Sequence, residues 1–131
     1  MPNVFLRDLN IDVAHQDDRK LEVVATGLPL ARGIPLAVDA TMVSPLHADG
    51  TPWHRADAKA AVALARGEGA KETIYPELMG SAVARLTTLA CETGGRWSDL
   101  CLVTVAQLAA ARARQAPRHL QLSARLAYED R

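Results

Sequence analysis

One segment constrains the fold of this chain more than any other, and it spans residues 36–43 with the sequence LAVDATMV. Its side chains alternate with period two, and the pattern is typical of a strand with one face in a core. Asp39 interrupts the apolar run, and a buried carboxylate needs a partner because an unpaired buried charge is costly. The segment therefore predicts a sheet that carries an acid supported by a metal, a basic side chain or water. An arginine partner is the structural alternative to a metal.

Composition limits the classes of protein to consider. A chain of 131 residues, 49% of them hydrophobic, suits one folded domain rather than a disordered segment. Aromatic residues make up only 4%, so Ala, Val and Leu must fill the core. This predicts either a loosely specified interior or one that needs a neighbour. The formal net charge is +0, and any contact with DNA must therefore come from a local patch.

Cysteine usage and hydropathy indicate the compartment. Cys91 and Cys101 are too few for a disulfide framework and lack the spacing of a zinc knuckle, so reduced intracellular thiols are expected. No segment is a signal peptide or approaches the ~20 apolar residues that span a bilayer. The sequence predicts a soluble intracellular protein without a membrane partner, and a DNA target is compatible with a nuclear location.

The order of predicted elements is βββαβα, which indicates a small mixed α/β sheet with helices packed on it. Gly67 and Gly69 predict a break in the first helix at about 1 kcal/mol each. Ser98 is a good N-cap for the last long helix. The predicted strands cover residues 4–6, 21–26, 36–43 and 83–91. The predicted helices cover residues 55–66 and 99–116, and a second helical piece after the glycines holds Lys71, Tyr75 and Leu78. The residues expected in the core are Leu36, Val38, Ala40, Leu86, Leu89, Leu102 and Val103.

Two acids on neighbouring strands form the first candidate site. Glu22 precedes Asp39 by about the length of a strand, a turn and a strand, so a hairpin can bring both acids to one edge of the sheet. Paired carboxylates suit Mg²⁺, which takes oxygen ligands and keeps several waters. The alternative for Glu22 is an outward residue of an exposed strand.

Three further residues extend this candidate site. Lys71 and Tyr75 lie four apart and share one helical face, and a lysine beside a metal-bound water can stabilise developing negative charge. Glu92 closes an apolar strand just before Gly94 and Gly95. The structural alternatives are an exposed helical lysine for Lys71 and a turn-supporting acid for Glu92. Two acids, a lysine and a further acid in this order suit metal-assisted attack of water on a phosphodiester.

Four segments of the chain together resemble a known family. The chain is similar to the restriction-like endonuclease segment that follows the reverse transcriptase in some non-LTR retroelement polyproteins. The matching segments are residues 21–30 (LEVVATGLPL), 36–41 (LAVDAT), 71–78 (KETIYPEL) and 92–97 (ETGGRW). They fall within residues 4–116, which is most of the chain.

The resemblance implies a mixed sheet of the PD-(D/E)xK nuclease type and a role for each candidate residue. It implies that Glu22 and Asp39 are the two metal-binding acids, and that Lys71 is the lysine moved onto the helix. Tyr75 matches the tyrosine that commonly follows, and Glu92 matches the acid of the closing run. It further implies Mg²⁺ or Mn²⁺ as cofactor, DNA as substrate and a reverse transcriptase joined to the domain.

The sequence leaves several functions open. The chain is expected to be a single restriction-endonuclease-like domain over residues 1–131, with a core at 4–116 and a truncated C-terminal helix at 117–131. It is either a metal-dependent DNA endonuclease or a non-catalytic remnant that acts as a small α/β binding or interaction module. An unrelated α/β domain with structural acids is the third alternative. The sequence does not specify an oligomeric state.

Overall fold

The computed structural model describes residues 4–129, and the ends of the expected domain at 1–3 and 130–131 lie outside this range. The described chain is a small mixed α/β protein with a two-stranded sheet, a three-stranded sheet and three helices. The expected mixed α/β class is confirmed at this level. The elements are β1 (Val4–Phe5), β2 (Lys20–Leu21), β3 (Val23–Ala25), β4 (Leu36–Val43), α1 (Val62–Ile74), β5 (Arg85–Glu92), α2 (Asp99–Ala113) and α3 (Gln121–Glu129).

The two sheets divide the strands by their position in the chain. β1 pairs antiparallel with β2. β3 and β4 are antiparallel, β4 and β5 are parallel, and β4 is the central strand of this second sheet. The strand expected at 21–26 is split at Glu22, where the backbone bends between β2 and β3. Since this bend separates the N-terminal pair from the larger sheet, the single expected sheet becomes two.

The face of β4 that carries Asp39 is the more buried one, with Ala37 fully buried and Asp39 4% exposed. On the opposite face, the expected core residue Leu36 is buried and Val38 is half-buried, but Ala40 is exposed, contrary to expectation, and Met42 is 71% exposed. Helix α1 and the N-terminal elements cover the Asp39 face. The core cluster consists of Leu6, Leu21, Ala37, Tyr75, Leu78 and Ala84.

Helix α1 runs unbroken through both glycines, so the predicted break ahead of Lys71 is wrong. The helix also begins later than expected, at Val62. Gly67 packs directly on β4, where a Cβ atom would lie 2.7 Å from Val43 Cγ1 and 3.3 Å from Thr41 Cγ2. The absent side chain at Gly67 allows the helix to approach the strand closely. Tertiary packing thus compensates for the low helix propensity of glycine.

The two glycines of α1 offer a matched pair of substitutions. We expect Gly67→Ala to lower the free energy of unfolding by about 1 kcal/mol, because a forced contact of about 1–3 kcal/mol outweighs the gain in helix propensity. A Cβ atom at Gly69 would meet no atom within 4 Å, and Gly69→Ala should therefore stabilise the protein by about 0.5–1 kcal/mol. Urea unfolding of both variants measures this difference. Equal effects at the two positions would contradict the close packing of α1 on β4.

Helix α2 begins where the sequence predicts, but its packing differs from expectation. The Ser98 hydroxyl accepts a hydrogen bond from the Cys101 amide at 3.2 Å, and the expected N-cap is confirmed. Leu102 and Val103 were expected in the core and are instead exposed, at 54% and 53%. The small residues of α2 are the buried ones, namely Cys101, Thr104, Ala109 and Ala113.

Helix α3 packs against α2 and lies within the segment expected to hold a truncated last helix. Among the described helices, none is both long enough and apolar enough to cross a membrane.

Candidate functional site

The candidate site is centred on Asp39, and Lys71 supplies its counter-ion. Lys71 Nζ lies 2.9 Å from Asp39 Oδ2, with the side chains 22% and 6% exposed. The geometry of this contact between Lys71 Nζ and Asp39 Oδ2 is not that of a hydrogen bond, and Asp39 Oδ2 accepts no hydrogen bond within residues 4–129. Asp39 therefore has a basic partner, as the sequence allows, but the partner is a lysine on α1 and not an arginine.

The position of Lys71 follows from the packing of α1 on β4. Gly67 lies against Val43, near the end of β4. One helical turn after Gly67, Lys71 contacts Asp39, which lies four residues before Val43 on the strand. Helix and strand therefore run in opposite directions. This arrangement places the last turn of α1 beside the middle of β4.

Tyr75 also belongs to this cluster. It caps the C-terminus of α1, where its amide donates to the Lys71 carbonyl at 3.0 Å, and its side chain is buried in the core. The hydroxyl donates to the Lys20 carbonyl at 2.6 Å, which ties α1 to β2. Burial first, and then the nearby charge of Asp39, raise the pKa of Tyr75 from 10.0 to about 12; the charge of Glu22 also raises this pKa, and Arg19 lowers it.

The titration of Tyr75 can be checked because the chain has only 2 tyrosines. We expect ultraviolet difference titration to show a phenol with a pKa of about 12, which Tyr75→Phe removes. The pKa of Tyr75 in the folded protein exceeds the ordinary 10.0, because the folded state favours the neutral phenol. The contribution of Tyr75 to the free energy of unfolding is therefore fully present below pH 10.0 and is lost as the pH rises towards about 12. A Tyr75→Phe protein with the same loss of stability over this range would contradict the assignment.

Glu22 lies at the bend beside this cluster and is exposed. The β3–β4 ladder ends at the pair of Val23 with Val38, so Glu22 lies one residue beyond it, at an exposed bend, whereas Asp39 is buried. Of the five predicted site residues, the structure brings Asp39 and Lys71 into contact and places Tyr75 one helical turn after Lys71, while Glu22 stays at the exposed bend.

Glu92 lies apart from Asp39 and Lys71. In the parallel ladder, Asp39 pairs with Thr88 and Val43 pairs with Glu92, which puts Glu92 about 13 Å further along the sheet. Its carboxylate lies 3.9 Å from Arg96 Nε, and its carbonyl accepts from the Gly95 amide at 2.8 Å. Gly95 has φ of +90°, which glycine adopts without strain. Glu92 therefore matches its structural alternative, an acid that supports the turn.

Arg19 supports the end of α1, although the sequence patterns did not predict this role. Its guanidinium contacts Asp17 at 2.6 Å, Glu77 at 2.7 Å and the carbonyl of Ile74 at the end of α1. These hydrogen bonds, first to Asp17 and then to Glu77, raise the pKa of Arg19; its guanidinium also lowers the pKa of both carboxyls. Arg19 thus fixes the turn of the chain that carries Tyr75. The close spacing of Asp17 and Arg19 in the sequence was the one signal that could have indicated this ion pair.

A cavity of about 610 Å³ lies between α1, β5 and α2, and neither Asp39 nor Lys71 lines it. Thr88, the register partner of Asp39, forms part of its wall, together with Glu68 and Glu72 from the helix that carries Lys71. Arg85 is the basic residue of this lining. The cleft is therefore more acidic than basic, and it does not offer phosphate the concentrated positive charge that nucleic-acid grooves provide.

No protein-family model, curated protein or solved structure gives a significant match to this chain.

Proposed function

We propose that the chain is a metal-dependent DNA endonuclease-like domain of the PD-(D/E)xK type and of retroelement origin. The observation that carries this proposal is the buried Asp39 carboxylate, which lies 2.9 Å from Lys71 Nζ. In this proposal DNA is the substrate, and a reverse transcriptase accompanies the domain in its polyprotein. The similarity of the sequence segments supports the retroelement origin.

The topology supports the proposed class at a coarse level. An antiparallel pair, β3 and β4, is followed by α1 as a crossover and by β5 parallel to β4. This order brings an acid from the hairpin and a lysine from the crossover helix to the same part of the sheet. The resemblance implies the same order.

The donor set fits a magnesium ion that keeps part of its water shell. Within residues 4–129, no group of three or more His, Cys, Asp or Glu residues is arranged to hold a metal. Mg²⁺ is nevertheless often bound through only one or two carboxylates, with waters and substrate phosphates as the other ligands. Glu22 and Asp39 would hold the ion in this way. Bound Mg²⁺ or Mn²⁺ would polarise a phosphoryl oxygen and acidify a water.

The protein's own groups have separate roles in this proposal. Asp39 supplies the negative charge that attracts the cation, and the low accessibility of its carboxylate strengthens that attraction. Lys71 provides an ammonium group that can stabilise the charge developing on the phosphate. Tyr75 holds the end of α1 through its bond to Lys20 and so positions Lys71.

Metal binding and nicking together test the proposal. Calorimetry should show Mg²⁺ or Mn²⁺ binding to the wild-type protein and not to Asp39→Asn. Supercoiled plasmid should be nicked only when metal and wild-type protein are both present. Equal nicking by wild type and Asp39→Asn would indicate a contaminating nuclease, and absence of both metal binding and nicking in the wild type would reject the proposal.

A second candidate function is the non-catalytic remnant, a small α/β binding module. Two observations favour it: Asp39 already has an internal counter-ion, and the cavity between α1, β5 and α2 contains Glu68 and Glu72 in place of a basic surface. A folded protein that binds neither metal nor DNA supports this candidate. Its acids then have a structural role.

A further inference from the structure

Strand β5 has an outer edge that its own sheet leaves open. The larger sheet has the order β3, β4, β5, so β5 pairs with β4 on one side alone. Residues at odd positions of β5 bond to β4, as the Arg85 amide does when it donates to the Pro35 carbonyl at 2.8 Å. The main-chain groups of the residues at even positions therefore point away from β4.

The end of this edge is covered and its start is not. The Ser98 amide donates to the Ala90 carbonyl at 2.9 Å, and the Glu92 amide donates to the Arg96 carbonyl. Within residues 4–129, the outward N–H and C=O groups of Leu86 and Thr88 have no hydrogen-bond partner. An unpaired edge of this kind is a template for another extended segment.

The cavity of about 610 Å³ between α1, β5 and α2 follows this unpaired edge. Its lining includes residues from both faces of β5, with Leu86 and Thr88 on the face of Asp39 and with Arg85 and Thr87 on the other. A space that touches both faces of one strand lies at the edge of that strand. Arg85 is exposed whereas Thr87 and Thr88 are buried, so the cavity deepens along the strand. We call it the edge groove.

The walls of the edge groove differ between the two faces of β5. Helix α1 covers the face of Asp39, and its Glu68 and Glu72 line the groove there. On the other face the lining includes Leu36, the register partner of Arg85. An extended segment directs alternate side chains to opposite faces. The groove therefore offers acids to one set of its side chains and an apolar wall to the other set.

The acidic wall lacks a counter-ion. Neither Glu68 nor Glu72 forms an ion pair within residues 4–129, and Glu68 Oε1 is buried without a hydrogen-bond partner. Such a carboxylate favours a cation beside it. The two acids lie one helical turn apart, about 6 Å, and alternate side chains of a strand lie roughly 6.5 Å apart. Two basic side chains in one extended segment match this spacing.

We propose that the edge groove binds an extended segment of a partner protein, which adds as a strand to β5 at residues 85–88. The segment presents two basic side chains, two residues apart, to Glu68 and Glu72, and the residue between them is apolar. It also covers Leu100 and Val103, which line the groove at 41% and 53% exposure. This proposal is independent of metal binding and nuclease activity.

Fluorescence anisotropy with the labelled peptide acetyl-Val-Lys-Val-Lys-Val-amide tests the proposal. The wild type should bind it with a Kd of about 10–100 µM. The same peptide with glutamate in place of both lysines should bind at least tenfold more weakly, because like charges meet at Glu68 and Glu72.

Backbone methylation of the peptide tests strand addition directly. One peptide carries N-methyl groups on its valines and another carries them on its lysines. Because alternate amides of a strand point to opposite sides, one of the two peptides should lose binding and the other should keep it.

A pair of double variants tests the acidic wall. Glu68→Gln/Glu72→Gln should weaken binding of the lysine peptide roughly tenfold, since two partly exposed ion pairs are lost. Asp12→Asn/Asp57→Asn is the matched control, because it removes two exposed acids outside the groove and should leave the affinity unchanged. Circular dichroism checks that both proteins are folded.

Four outcomes would overturn the proposal. They are a wild type that does not bind the lysine peptide at about 1 mM, and equal behaviour of the two methylated peptides. Displacement of the peptide by an equal concentration of spermidine would indicate a site for small organic cations. A wild-type dimer that the peptide dissociates in sedimentation velocity would show that a second copy occupies the groove.

Discussion

Replacement of Lys71 by methionine is expected to lower the free energy of unfolding by about 3 kcal/mol, because it leaves the buried Asp39 carboxylate without its counter-ion. The carboxylate is 6% exposed and lies 2.9 Å from Lys71 Nζ. Methionine keeps most of the length and the apolar stem of lysine, so little packing is lost. The expected loss lies at the low end for a buried pair, since the Lys71 side chain is 22% exposed.

Urea unfolding measures this loss, and two further variants isolate its cause. Lys59→Met removes an exposed lysine and should change stability by less than about 0.5 kcal/mol. The double variant Lys71→Met/Asp39→Asn should recover much of the loss, because the amide carries no charge. A Lys71→Met protein as stable as the wild type would show that water, and not the ammonium group, compensates Asp39.

Asp39→Asn is expected to reduce metal-dependent nicking to background while the fold is retained. The amide keeps the shape of the carboxylate but loses the charge that attracts the cation. Lys71→Ala should slow nicking by roughly 10²–10³, the loss typical of removing one electrostatic stabiliser of a transition state. Glu22→Asp restores the acid that is usual in the proposed family, and it should retain or raise the rate.

Single-turnover nicking of supercoiled plasmid at a fixed metal concentration separates these effects. Lys59→Ala is the matched control for Lys71→Ala, because it removes an equal charge from an exposed position away from the Asp39–Lys71 pair. Since Lys71→Ala should also destabilise the protein, circular dichroism at the assay temperature must show a folded variant. A rate unchanged by Asp39→Asn would remove Asp39 from the proposed mechanism.

Local sequence patterns predicted the elements that depend mainly on nearby residues. The strand 36–43 follows from its alternation and β-branched side chains, and its bounds agree with β4. Ser98 predicted the start of α2 because an N-cap needs only one hydroxyl and the amides of the next turn. The need of Asp39 for a partner also follows from sequence, since the charge lies in an apolar strand. Lys71 and Tyr75 were both predicted to accompany it.

Contacts between distant segments decided the rest. Glycine propensity predicted a broken helix, but the close contact of Gly67 with Val43 supports α1 across it. The alternation of β4 defines two faces without saying which one is covered, and α1 covers the face with Asp39. Lys71 reaches Asp39 because α1 packs on β4, whereas Glu92 does not, because the register of β4 with β5 places it beside Val43. Local propensity fixes the conformation of a segment, whereas the side that becomes buried depends on which other segments pack against it.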